Sequence, residues 1–370
     1  MGIFSRMSTD RRIQEVALED VFAASVGSAC FVLGGGPALR ELDFAELERT
    51  PVGRMSINLA GTGLVRPHFW TAYDPTQRFS RSTYLDPAVM KFVHRRRAFD
   101  LVPETTWKVC ECPNLYLFEG DRQRGFSDFL DPRHTAIVDW NDSLVQAIDI
   151  LYRLGFRTLY LAGCPLRVEP SLALRELAVG RGIAVPEEAG LTEFARCCER
   201  GGVRRQELEQ LEPVELYHFD ERKSLRAALV TDAHYYRIVE YLRLSRGAMA
   251  RAGLRLVSVT PGSRLNAYFP YLDPREAMRE SRFACGDPAG ERTLGRYSGV
   301  QERLPSSAAG MRDFSPPHWP AQTGNVSPLK ENGAAGKVQP PARGESALRA
   351  GLLAEIERSR AADVLVEEIG

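Results

Sequence analysis

A short apolar run, Ala29-Cys-Phe-Val-Leu33, passes without a polar interruption into Gly34-Gly35-Gly36-Pro37. A run this short and this uniformly apolar reads as a strand buried on both faces, the habit of strands in parallel sheets. Glycine after such a strand lets the backbone turn sharply and approach a ligand closely. Cys30–Leu39 is therefore expected to be a buried strand and glycine turn that opens an α/β domain of the nucleotide-binding type.

The chain downstream repeats the same alternation. Leu39–Leu47 reads as a short helix, Arg54–Leu59 and His68–Tyr73 as strands, and Pro87–Val93 as another short helix. Trp107–Cys112 and Leu115–Phe118 read as strands split by Pro113. Asp142–Leu154 carries Leu144, Ala147, Ile148, Leu151 and Leu154 at helical spacing, and Gly155 closes it. Thr158–Leu161 follows as a strand, so this unit is half of a βαβ crossover. Asp232–Ala252 reads as a long helix and Leu254–Thr260 as the last strand, followed by the turn Pro261-Gly-Ser263. The expected fold class is thus α/β, doubly wound, with a mostly parallel sheet.

Three segments stand outside that alternation. Asp10–Val26 reads as helical, so residues 1–27 are expected to be an N-terminal helix before the domain at 28–285. Residues 170–223 are charged and mostly helical, and read as a lid inserted over a cleft. After Cys285 the chain turns Pro- and Gly-rich, so 286–344 is expected to be a disordered linker. Residues 345–370 recover helical periodicity through Leu348, Leu352, Ile356 and Val366, an amphipathic helix suited to docking on a protein partner.

Bulk properties exclude several function classes. The 370 residues carry 48 basic and 48 acidic side chains, which leaves no electrostatic footprint for nucleic acid. No apolar stretch is long enough to span a bilayer, and Met1–Arg12 has no apolar signal core. Seven cysteines without metal-ligand spacing point to reduced thiols and a cytoplasmic setting.

Candidate site residues come from the ends of the expected strands, where open α/β sheets bind ligands. Gly34, Gly35 and Gly36 would turn amide groups toward an anion. Asn58 offers both a donor and an acceptor after the second strand. Asp74, after the third, would bind a sugar hydroxyl or a metal, or start a turn at Pro75. Asn141-Asp142-Ser143 opens the long helix, either as a cap or as a dipole end facing a phosphate or carboxylate. Gly163 ends the next strand. Ser263 would hold a phosphate and Arg264 would neutralise it. His234 is the candidate general base, with His218 as a rival. No metal ligands are expected.

Phe31-Val-Leu-Gly-Gly-Gly-Pro-Ala-Leu39, followed by Asp43-Phe44, resembles the G-x-G-P-S-L opening of a group of related proteins. The group contains sialyltransferases of the Campylobacter type, motility-associated glycosyltransferase-like proteins and archaeal 6-hydroxymethylpterin pyrophosphokinases. Asn58, Tyr73-Asp74-Pro75, Leu154–Gly163 and Leu256–Leu265 with Phe269-Pro270 resemble its later motifs, in order, over about residues 28–275. The resemblance implies a doubly wound domain with a helical lid and a nucleotide ligand. It implies that Gly34, Gly36, Asn58 and Ser143 line the nucleotide site. The chain departs from the group at Ala38, Leu144 and Pro165, where the group carries Ser, Gly and Asp.

The leading expectation is a glycosyltransferase-like protein. It would bind a sugar nucleotide and pass the sugar to a hydroxyl of a glycan or protein, with no permanently bound cofactor. Two alternatives stand beside it: a pyrophosphokinase-like enzyme needing magnesium, and a non-catalytic nucleotide-binding or scaffold module whose C-terminal helix recruits a partner.

Overall fold

The computed structural model describes residues 2–16 and 29–285, apart from 51, 212, 213, 216, 219 and 220. Nine strands form its main sheet: β1 (Phe4–Met7), β2 (Ile13–Val16), β3 (Ala29–Leu33), β4 (Gly53–Ile57), β5 (Phe69–Thr71), β6 (Met90–His94), β7 (Leu115–Phe118), β10 (Thr158–Ala162) and β13 (Arg255–Ser258). The two-stranded pairs β8 (Gly120–Asp121) with β9 (Ile137–Val138), and β11 (Val214–Glu215) with β12 (Arg222–Lys223), lie apart.

Across the main sheet the order is β13-β10-β3-β4-β5-β6-β7-β1-β2. From β13 to β7 every pair is parallel, and the β1–β2 hairpin closes the far edge antiparallel. The chain winds outward from β3 to β7, then returns to place β10 on the other side of β3. That reversal makes the C-terminal ends of β3 and β10 the topological switch point, where a crevice opens.

All five residues of β3 are buried, as their apolar run requires. Cys30 and Val32 face one core, shared with α3 (Ser143–Arg153) and α7 (Leu225–Leu244) through Ile148, Leu151, Ile238 and Leu242. Ala29, Phe31 and Leu33 face the other, shared with α1 (Phe44–Arg49) and α9 (Pro274–Cys285) through Leu47, Ala277 and Met278. The helix α3 begins where Asp142 caps it, accepting hydrogen bonds from the amides of Leu144 (2.7 Å) and Val145 (3.1 Å). It ends at Gly155, whose φ of 101° suits a residue without Cβ.

Several expectations change. Phe4–Met7 and Ile13–Val16 form strands β1 and β2 joined by a turn rather than a helix, and residues 17–28 lie outside the described residues. Pro87–Val93 is not helical: Met90–His94 is the parallel strand β6. Its central Lys91 breaks the apolar pattern yet is buried, its Nζ donating to the Asp86 carbonyl at 2.6 Å. Burial pushes that ammonium down to about 8. Trp107–Cys112 is not a strand but closes through a 3-10 turn, in which Glu111 accepts from the Lys108 amide at 2.8 Å. The long helix starts earlier than expected and breaks at Ser245, before α8 (Arg246–Arg251).

The insertion holds α4 (Leu172–Gly180), α5 (Leu191–Arg200) and α6 (Arg205–Glu209), and ends in the β11–β12 pair. It has a core of its own around Leu174, Leu191, Phe194 and Leu208, shared with Ala228 of α7. The expected linker at 286–344 and the helix at 345–370 lie outside the described residues. Among the described residues, no helix is long and apolar enough to cross a membrane.

Candidate functional site

The loops after β3 and β10 interlock at the switch point. The Gly34 amide donates to the Ala162 carbonyl at 2.7 Å, and the Gly36 amide to the Gly163 carbonyl at 2.8 Å. A Cβ on Gly34 would lie 2.5 Å from Cys164 Sγ and 2.6 Å from the Gly163 oxygen. One on Gly36 would strike the Pro165 ring and lie 2.8 Å from the Gly163 oxygen. Gly163 itself has φ +65°, and a Cβ there would run into the Gly34 carbonyl. Two of the three glycine amides expected to face an anion are thus spent on the facing loop. Among the described residues, no hydrogen bond uses the Gly35 amide, and Gly35 lines the cleft.

Asn58 follows β4 in the left-handed region, with φ 55°. Its amide donates to the Thr71 carbonyl at 3.1 Å, and its carbonyl accepts from Trp70 Nε1 at 2.7 Å. Ser143, at the start of α3, ties down the side chain. Its Oγ accepts from the Tyr73 amide at 3.0 Å and donates to Asn58 Oδ1 at 2.9 Å. With Oδ1 engaged, Nδ2 is the end of the amide left to donate into the cleft. Asn58 and Ser143, 85 positions apart in sequence, are thereby one unit.

Asp142 forms part of the wall, and His234, the candidate base, is not among the lining residues. His234 Nε2 lies 2.9 Å from Asp142 Oδ2, and its Nδ1 lies 3.4 Å from the Arg237 guanidinium. Asp142 lines the cleft, so the histidine stands behind it. Asp74 lies opposite and binds Arg78 at 3.2 Å, and Arg78 reaches Glu221 of the insertion at the same distance. The charged lining is therefore Asp74, Asp142 and Glu221 against Arg78.

Residues of the insertion not singled out in the sequence also line the cleft. Tyr217 and Glu221 line it, as does Tyr235 of α7. Burial and the neighbouring Tyr217 push the Tyr235 hydroxyl well above its ordinary range. His218 fastens the arch. Its amide donates to the Gly35 carbonyl at 2.9 Å, its Nε2 accepts from the Gly61 amide at 3.0 Å, and its carbonyl accepts from Arg40. This makes His218 a neutral acceptor, and burial next to Arg40 pushes its pKa down to about 4. The cavity measures about 140 Å³.

Gly34, Gly35, Gly36, Asn58, Asp74, Ser143 and Gly163 thus meet at one cleft. Ser263 and Arg264 have other work. Ser263 Oγ donates to the Cys164 carbonyl at 2.7 Å. Arg264 donates to the Leu166 carbonyl at 3.0 Å and pairs with Asp232 at 3.2 Å. Both brace the β10 loop from behind, because the buried loop carbonyls need donors. Neither is among the lining residues.

No family profile and no curated protein matches the sequence. Among solved structures, the chain is similar to a glycosyltransferase named MAf from Magnetospirillum magneticum AMB-1, at 11% identity and a TM-score of 0.36. That similarity covers 71% of this chain but only 38% of the Magnetospirillum protein. The chain is also similar to the sialyltransferase CstII from Campylobacter jejuni, solved with a substrate analogue, at 12% identity and a TM-score of 0.32. The shares covered there are 67% of this chain and 87% of that one. The monofunctional α-2,3-sialyltransferase Cst-I of the same organism gives 11% identity and a TM-score of 0.31, over 95% of this chain and 99% of the other. The chain is thus structurally similar to glycosyltransferases and sialyltransferases at low sequence identity.

Proposed function

We propose that the protein is glycosyltransferase-like, binding a sugar nucleotide in the cleft between the β3 and β10 loops and passing the sugar to a hydroxyl acceptor. The observation that carries this reading is the Asn58–Ser143 unit. A left-handed asparagine that lines the cleft has its Oδ1 occupied by Ser143, which leaves its Nδ2 as the group a base or ribose acceptor would meet. The Gly35 amide and Arg78 are the further donors at hand for the phosphates. Transfer would form a bond from the acceptor oxygen to the anomeric carbon while the bond from that carbon to the nucleotide phosphate breaks. The nucleotide leaves with the electron pair. The acceptor proton passes to Asp142, which lines the cleft, while His234 holds its carboxylate in place at 2.9 Å.

Ligand clefts usually run from roughly 300 Å³ upward, so a sugar nucleotide needs Tyr217 and Glu221 to move from their positions here. The test is a thermal-shift and calorimetric panel of nucleotides and sugar nucleotides, with product analysis by mass spectrometry for any binder. A ligand held at a hundred times its Kd should stabilise the fold by about 2.7 kcal/mol. Sugar transfer that fails in His234→Ala, and sugar-nucleotide binding that weakens in Asn58→Ala, would support the assignment. Binding without transfer would point to the non-catalytic module, and magnesium-dependent ATP turnover to the kinase-like enzyme. A folded protein that binds none of these refutes the reading.

A further inference from the structure

A second group of side chains stands beside the cleft and takes no part in the proposed transfer. His94 ends β6 and is followed by Arg95, Arg96 and Arg97, while Arg122 directly follows β8. Two of these four arginines have acids: Arg95 pairs with Glu119 at 2.8 Å and Arg97 with Asp100 at 3.5 Å. Arg96 and Arg122, both exposed, have no carboxylate at ion-pair distance among the described residues. Each instead stands over the ring of Tyr73, with guanidinium carbons 5.1 and 5.6 Å from its centroid.

That ring is a fixed platform. The Tyr73 hydroxyl donates to Asn141 Oδ1 at 2.6 Å, its backbone amide is held by Ser143, and its edge packs on His94 at 5.7 Å. His94 is itself locked, with Nε2 3.0 Å from Gln146 Oε1 and 3.6 Å from the Asp139 carboxylate. Gln146 in turn donates to Thr71 at 2.7 Å. Beside the ring lies a buried hydrogen-bonded network with the Asp139 carboxylate, whose charge reaches Arg122, and near the ring stand two cations with no carboxylate at ion-pair distance among the described residues. An exposed cation over a ring gains only about 0.5–1 kcal/mol, so two like charges sharing one ring gain little by being there. An oxyanion that bridges them would add charge-assisted, fork-shaped hydrogen bonds at a cost already met by the platform.

We propose that Arg96 and Arg122, held on Tyr73, form a binding site for a single oxyanion group, a carboxylate or a phosphate. The site lies next to the cleft through Asp74 and Ser143, and it does not depend on the transfer reaction. Its charge is opposite to that of the cleft lining. A molecule that reaches both would place neutral, hydroxyl-rich parts against Asp74, Asp142 and Glu221, and an acidic group on the arginines.

Phenylglyoxal footprinting of the full chain, read by peptide mass spectrometry, tests this directly. Inorganic phosphate and acetate are the two probes, each compared with sodium chloride at equal ionic strength. At four times its Kd, a bound probe should slow modification of Arg96 and Arg122 roughly fivefold, and leave the exposed Arg226 of α7 unchanged. Protection by phosphate alone marks a phosphate site and protection by acetate alone a carboxylate site; either supports the proposal. Tyr73→Phe keeps the ring and should keep the protection. Arg96→Ala, an exposed change, should abolish the protection of Arg122. Protection by neither anion, equal protection by chloride, or protection of Arg226 to the same degree would overturn it.

Discussion

Lowering the pH from 7 to 5 should release the arch at His218 while the sheet stays folded. In the closed state the imidazole is an acceptor for the Gly61 amide, and Arg40 lies close enough to bind the His218 carbonyl. A proton on Nε2 would set donor against donor and add a cation beside Arg40. Burial first, and then the Arg40 cation, push the pKa from 6.5 down to about 4. Once released into water, the ring titrates near 6.5. The closed form therefore binds fewer protons than the open one between these values. The stabilisation is fully present above 6.5 and is lost as the pH falls toward 4. At pH 5 the loss comes to about 2 kcal/mol, a ~30-fold shift toward opening. Hydrogen exchange of the Gly61 amide at pH 7 and pH 5, corrected for intrinsic rates, reads this loss. The Val32 amide in β3 is the reference for the sheet. His218→Gln keeps an acceptor that does not titrate, so its Gly61 protection should lose most of the pH dependence. A Gly61 opening free energy that is the same at both pH values, or that falls only in step with Val32, would refute the reasoning.

Two further substitutions probe the cleft itself. Ser143→Ala strips a partner from the Tyr73 amide and from Asn58 Oδ1, so stability should fall by about 1–3 kcal/mol in urea unfolding. Nucleotide affinity, by calorimetry, should fall about as much as in Asn58→Ala and no further in the double variant; additive losses would mean the two do not act as one unit. Gly36→Ala forces a methyl group into Pro165 and should cost about 3 kcal/mol, whereas Gly180→Ala, with nothing within 4 Å, should gain about 0.5–1 kcal/mol. Equal midpoints for the two alanine variants would contradict the interlock.

The parallel sheet was legible because its strands are buried on both faces and so are written as apolar runs: β3, β7 and β10 show this plainly. The strand β6 was not, since a buried lysine interrupts it and the short run fits a helix equally well. That misreading hid the sheet-edge position of His94–Arg97. The cleft glycines, Asn58, Asp74 and Ser143 could be placed because each follows a strand or opens a helix. Ser263 and Arg264 meet the same condition, yet they face the back of the β10 loop. Position along the chain gives the sheet edge, and only packing gives the side. Tyr217, Glu221 and His218 carry no local pattern, because what makes them part of the site is where an insertion folds back.

The interlocked glycines also bear on how this protein can change over time. Positions 34, 36 and 163 occupy one another's space across the crevice, so a side chain gained on one loop has to be answered by retreat of the other. Neither loop can drift alone. The two are expected to vary as a pair, and a new ligand preference is more easily reached through Arg96 and Arg122, whose exposed side chains have open water to move into.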